Sequence, residues 1–109
     1  MKGNIVLIPF PFTNLKTLKR RPALILLERK KDIVVSFISS RIPHYVGKFH
    51  ILVKKTHKEF NQSGLKVDSV IYLDKLATIN KNLIIGELGE IGKKLKSRVN
   101  RNFKKIYHL

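Results

Sequence analysis

Two short stretches carry groups able to act on a phosphate: Lys19-Arg20-Arg21-Pro22 and Ser39-Ser40-Arg41. A guanidinium is a planar fork that fits two phosphate oxygens and stays charged at any working pH. Pro22 pushes the residue before it towards an extended backbone, which gives Arg21 a defined setting. A serine hydroxyl donates a hydrogen bond or relays a proton, although unaided it is a poor general base. Together these groups suit RNA, whose 2'-hydroxyl lies beside each scissile phosphate and attacks it once aligned. The protein then has to hold the strand, move a proton and stabilise the charge that builds on phosphorus. DNA lacks that internal nucleophile. The same residues have plainer readings: Lys19 to Arg21 as a solvated charge run before a strand, and Ser39-Ser40-Arg41 as ordinary turn chemistry.

Other chemistries find little support. The chain has no cysteine, which removes thiolate catalysis, disulfides and cysteine zinc sites. His44, His50, His57 and His108 have no i, i+4 pairing. The carboxylates Glu28, Asp32, Glu59, Asp68, Asp74, Glu87 and Glu90 are scattered where a two-metal nuclease needs a cluster. Gly64, Gly86, Gly89 and Gly92 lack the spacing of a phosphate-binding loop or a dinucleotide fingerprint. The sequence therefore predicts metal-free chemistry on a polyanion, with no cofactor. Charge points the same way: 23 Lys plus Arg against 7 Asp plus Glu give a formal +16, so nucleic acid or an acidic protein is the expected partner.

The elements that must position these groups are those of one domain spanning residues 1–109, long enough for a single core. No apolar run approaches the roughly 20 residues that cross a bilayer. The N-terminus lacks a signal-peptide profile, so a cytoplasmic protein is expected. Residues 4–8 predict a first strand, ended by Pro9 and Pro11, with a surface loop over 13–20 that carries Lys16, Lys19 and Arg20 and no acid. Phe10 and Phe12 read as anchors of the loop base. Residues 23–27 predict a buried strand with the arginines at its mouth. Glu28 to Asp32 reads as a hairpin turn and 33–38 as the next strand, with Ser39, Ser40 and Arg41 where it leaves the core. Strands around 49–53, 69–73 and 75–79 follow, with one helical turn between 54 and 62. Five to seven short strands with polar turns fit a compact barrel better than a parallel sheet. At the end, Ile91, Leu95, Val99, Phe103 and Ile106 are four, four, four and three residues apart, one apolar stripe of a helix whose remaining surface is cationic. That surface reads as a solvated face, with a second nucleic-acid contact as the alternative.

On these residues the chain resembles the MazF/PemK (Kid) family of toxins from type II toxin-antitoxin systems. Gly3-Asn4-Ile5-Val6 with Pro9-Phe10-Pro11-Phe12-Thr13 is similar to the family's opening strand and loop, and Lys19-Arg20-Arg21-Pro22-Ala23-Leu24 to its Arg-Pro strand start. Phe37-Ile38-Ser39-Ser40 falls at its hydroxyl-bearing strand end, and Gly64-Leu65 through Asp68-Ser69-Val70 to Asp74-Lys75-Leu76-Ala77-Thr78-Ile79 is similar to its late strand pair. The resemblance implies a mainly β fold, a small SH3-like barrel with a C-terminal amphipathic helix. It also implies a homodimer and a metal-independent endoribonuclease that cuts single-stranded RNA to leave a 2',3'-cyclic phosphate. By position it assigns Arg21 and Ser39 to catalysis and Lys16, Lys19, Arg20, Ser40, Arg41, Lys75 and Thr78 to the RNA groove. An acidic antitoxin would be the inhibitor. Three departures stand out: serine at 39 where the family has threonine, no acid between Asn14 and Arg20 to serve as general base, and Ser39 and Ser40 adjacent, so that they point to opposite faces of a strand. Two other readings of the same sequence are a non-enzymatic toxin on this fold, like the gyrase-inhibiting toxins (CcdB), and a nucleic-acid-binding module.

Overall fold

The computed structural model describes residues 1–10 and 19–109. Six strands, β1 (Asn4–Phe10), β2 (Lys19–Glu28), β3 (Asp32–Ser39), β4 (His50–Val53), β5 (Ser69–Asn80) and β6 (Gly86–Glu90), form one antiparallel sheet in the order β4-β5-β3-β2-β1-β6. Among the described residues two α-helices, the single turn α1 (Phe60–Ser63) and α2 (Lys93–Ile106), accompany the sheet, with a 3-10 turn over Lys81–Leu83. Register offsets in β6, β2 and β5 bend the sheet into a curled half-barrel, because an unpaired extra residue kinks a strand and raises its twist.

Both faces of this sheet are buried, which explains the unbroken apolar run from Ala23 to Leu26. On one face Ile5, Leu24, Ile38, Ile51, Ile71 and Leu73 pack with Leu95 and Val99 of α2, and Phe103 and Ile106 close the edge. On the other, Val6, Ile8, Ala23, Ile25, Ile33 and Val35 form a second cluster, capped by Phe37, Ala77 and Ile84. Truncating a side chain such as Leu24, which is 1% exposed, to alanine costs on the order of 2–5 kcal/mol.

Several elements differ from the sequence reading in ways that matter for the site. β1 continues through Pro9 to Phe10, since β6 pairs β1 only as far as Leu7. Beyond that point β1 is an edge, where a missing N–H costs no ladder bond. β2 begins at Lys19, so Arg20 and Arg21 lie inside the strand, opposite Pro9 and Ile8, rather than ahead of it. The strands expected over 69–73 and 75–79 are one element. β5 pairs with β3 from Asn80 to Leu76, then skips to Ile71 while β3 advances only from Ser36 to Ile38. The loop expected over 13–20 lies outside the described residues as far as Leu18, and Lys16 with it.

Candidate active site

Arg21 and Ser39 reach one place through strand register. Ala23 of β2 stands opposite Phe37 of β3, and two residues further along each antiparallel strand bring Arg21 and Ser39 into the same row and onto the same face. Both line a recess of about 260 Å³ at the end of the second apolar cluster. Arg41 and Lys75 bring two more cations to it. The skip in β5 brings Lys75 and Tyr72 there, because it turns the strand out of its ladder where Phe37 stands.

The walls are aromatic. Phe10 and Phe37 meet with ring centroids 5.1 Å apart at 56° on one side. On the other, His50 abuts the Tyr72 ring edge-on at 5.1 Å, and the Lys75 ammonium lies 4.3 Å from the centre of that ring. His50 is itself fixed, since its Nδ1 accepts a 3.1 Å bond from the Gly47 N–H. The recess thus combines aromatic rings with positive charge, one ammonium lying over the face of Tyr72, a composition suited to unpaired bases joined by phosphates.

Polar detail sharpens this picture. The Ser39 hydroxyl accepts a 3.1 Å hydrogen bond from the backbone N–H of Arg41, which fixes the oxygen and leaves its proton to be donated. The Nε of Arg21 is buried without a hydrogen-bond partner among the described residues. A buried charged donor left unpaired costs at least 1–3 kcal/mol, which an anionic acceptor in the recess would recover. All seven carboxylates and all four histidines of the chain lie among the described residues, and none lines the recess. The charged groups among its lining residues are therefore all cations. Among the described residues no three His, Asp or Glu side chains gather in the manner of a metal centre.

Of the residues singled out from sequence, Arg21, Ser39, Arg41 and Lys75 come together. Lys19 and Arg20 are exposed at the start of β2 and do not line the recess, and Ser40 is exposed just past the end of β3. Thr78 stands opposite Val34, on the part of β5 beyond the skip, away from the recess. Phe37 and Tyr72 were not anticipated. The signal available for Tyr72 was the polar pair Asp74-Lys75 interrupting an apolar strand, a common mark of a bulge.

A sequence profile of the family described as PemK-like, MazF-like toxin of type II toxin-antitoxin system matches residues 1–107. Similar solved structures include an endoribonuclease in complex with its cognate antitoxin from a mycobacterial species, 13% identical, covering 100% of this chain and 95% of that one at a TM-score of 0.75. The Mycobacterium tuberculosis toxin MazF-mt6 is 19% identical, with 97% of each chain covered and a TM-score of 0.70. A MazE-MazF crystal structure from Deinococcus radiodurans is 19% identical over 96% of this chain and 92% of that one, again at 0.70. No curated protein matches the chain by sequence. At these identities the solved structures establish a common fold, the half-barrel with its C-terminal helix.

Proposed function

Because the chain belongs to the PemK-like, MazF-like family of type II toxin-antitoxin toxins, we propose that it is a metal-independent endoribonuclease acting on single-stranded RNA. The observation that carries this reading is the shared row of Arg21 and Ser39 at a recess with aromatic walls, three cations and no carboxylate. A strand enters with its bases against Tyr72 and Phe37 and its phosphates towards Arg21, Arg41 and Lys75. The 2'-oxygen bonds to phosphorus, the bond from phosphorus to the 5'-oxygen breaks, and a 2',3'-cyclic phosphate and a 5'-hydroxyl result. The Arg21 fork takes the equatorial oxygens as negative charge grows on them, and the Ser39 hydroxyl donates a further hydrogen bond. With no imidazole or carboxylate in the recess, the proton leaves the 2'-hydroxyl through water, and the 5'-oxygen regains one from water.

Lys19, Arg20 and Ser40, exposed at the strand ends beside the recess, extend the path of the strand, and Lys16 belongs to the same cationic segment of sequence. Thr78 lies further along β5, outside the recess. The partner is an antitoxin with an acidic segment, as two of the similar solved structures are toxin-antitoxin complexes. The toxin itself acts as a cytoplasmic homodimer. Among the described residues no helix is long and apolar enough to cross a membrane.

The test is incubation of the purified protein with long single-stranded RNA in EDTA, followed by mapping of the ends. Cleavage that leaves cyclic phosphates, and that stops when the nucleotide before the cut carries no 2'-hydroxyl, is the expected result. Intact RNA together with a stable complex with a topoisomerase would instead assign the chain to the gyrase-inhibiting toxins.

A further inference from the structure

The last helix carries charge that folding does not explain. In α2, Lys93, Lys94, Lys96, Arg98, Arg101, Lys104 and Lys105 are all exposed, and its 14 residues include no acid. Lys104 and Lys105 sit at the C-terminal end, where the helix dipole welcomes cations, but Lys93 and Lys94 occupy the N-terminal turn, where it opposes them. Lys58, from the segment before α1, presses on Lys94 and holds its ammonium below the ordinary lysine range through their hydrogen bond and mutual repulsion. The carboxylate nearest this end, Glu59, is occupied by the helix backbone, accepting from the N–H groups of Lys94 and Leu95 at 2.9 and 3.0 Å. Among the described residues both ion pairs end on Glu28, and neither includes a residue of α2. Repulsion of this kind is relieved by an anion from outside the chain.

The exposed residues also say which anion. Lys94, Arg98, Arg101 and Lys105 recur at i, i+4, i+7 and i+11, a stripe about 16 Å long on one side of the helix. The solvent face holds no apolar side chain that could anchor a peptide or enter a lipid surface. Leu95 and Val99 are buried, Phe103 and Ile106 pack on the core, and the Tyr107 hydroxyl bonds the Leu73 carbonyl. Within Lys93–Ile106 the one ring, Phe103, is half-buried, and Tyr107 just past the helix stacks one face on it at 5.5 Å. A surface of this composition touches phosphates alone, so it grips a polynucleotide without reading sequence. It is separate from the recess. α2 contributes no residue to the recess lining and covers the sheet face that carries Leu24 and Ile51, whereas Arg21 and Ser39 alternate onto the face of Ala23 and Phe37.

We propose that the solvent face of α2 is a second RNA-binding surface, which holds the phosphodiester backbone of structured RNA outside the segment in the recess. The proposal concerns binding and stands whether or not the chain cleaves RNA. Its test compares the protein with the variant Lys94→Gln, Arg98→Gln, Arg101→Gln, Lys105→Gln, using a long 2'-O-methyl hairpin RNA and a short single-stranded oligonucleotide that fills the recess only. The expected result is a salt dependence of hairpin binding shallower by about three units of slope, at roughly 0.7–0.9 per lost phosphate contact, with oligonucleotide binding unchanged. A companion variant that exchanges lysine and arginine at the four positions should bind the hairpin as the unaltered protein does, which separates charge from misfolding. An unchanged slope for the glutamine variant overturns the proposal. So does equal weakening of both RNAs, and so does an unchanged hairpin slope accompanied by lost binding of poly-L-glutamate, which would give the face to an acidic protein.

Discussion

The recess and the last helix are both cationic, yet they hold their charge in opposite ways. In the recess the Arg21 Nε is buried and unpaired among the described residues, Arg41 and Lys75 line the same space, and Phe10 and Phe37 pack at its wall. On α2 every cation stands in solvent on a regular turn of helix. A desolvated, positioned guanidinium interacts strongly with one oxygen at one distance, so its identity matters as much as its charge. An exposed row acts through its sum, is screened by salt and tolerates exchange of one cation for another. On the function we propose, one polypeptide would separate the task of holding a reacting linkage from that of holding the rest of a polymer.

The comparison can be broken most readily by a substitution that keeps charge. Arg21→Lys should lower the single-turnover cleavage rate by about 100-fold or more, because lysine offers a point charge where two oxygens are to be held. Arg98→Lys on the helix should leave the rate unchanged. Comparable losses at both positions, measured on the same RNA, would erase the distinction. A smaller effect is expected at the wall of the recess: Tyr72→Ala should weaken binding of a short oligonucleotide by about 1–3 kcal/mol, the usual worth of a stacked base, whereas Tyr72→Phe should retain it. Equal binding by the alanine variant in a titration would show that bases do not rest on that ring.

The smallest effect concerns the helix's own anchoring. Gly92, at its N-cap, has no side chain to cap with, and a Cβ there would lie 2.4 Å from Glu59, whose carboxylate does the capping from the segment before α1. Burial would raise the Glu59 carboxyl, but the N–H groups of Lys94 and Leu95, with the charges of His57 and Lys94, outweigh it and hold the group below the ordinary glutamate range. A carboxyl lowered on folding stabilises the folded state above its unfolded-state value, and that contribution is lost as pH falls through the lower folded value. Glu59→Gln should therefore cost about 1 kcal/mol near neutrality, a typical cap, and the gap between the two proteins should close in acid. Denaturant midpoints measured across that range check it, and a gap that persists in acid would point to packing instead of charge.

Much of the frame was legible in the sequence, for physical reasons that also mark where reading stopped. The α2 stripe follows from the 3.6-residue period, and β2 and β3 from apolar runs bounded by Pro22, a polar turn and two serines. β6 was not legible. Gly86-Glu87-Leu88-Gly89-Glu90 has neither alternation nor β-branching, and it is a strand because β1 offers its edge and because Gly89 lets the backbone approach Gln62, whose carbonyl oxygen would lie 2.3 Å from any Cβ there. Within the candidate site, Arg21 and Ser39 were singled out from residue type and by resemblance, and strand register brings them into one row. Tyr72 depends on a local skip in β5 that no periodicity encodes, and Thr78 misses the recess for the same reason: three residues after Lys75, it has returned to the regular ladder. Pro9 misled because a proline ends a central strand but not the end of β1 that pairs on one side only, with β2.

In the function we propose, Arg21 and Ser39 work on one linkage as a unit. A double-mutant cycle in single-turnover cleavage, with Arg21→Ala, Ser39→Ala and the pair, tests it most directly. Groups that share a transition state should lose less together than the sum of their separate losses, by about 1 kcal/mol or more. Strictly additive losses, or a Ser39→Ala rate equal to that of the unaltered protein, would contradict it.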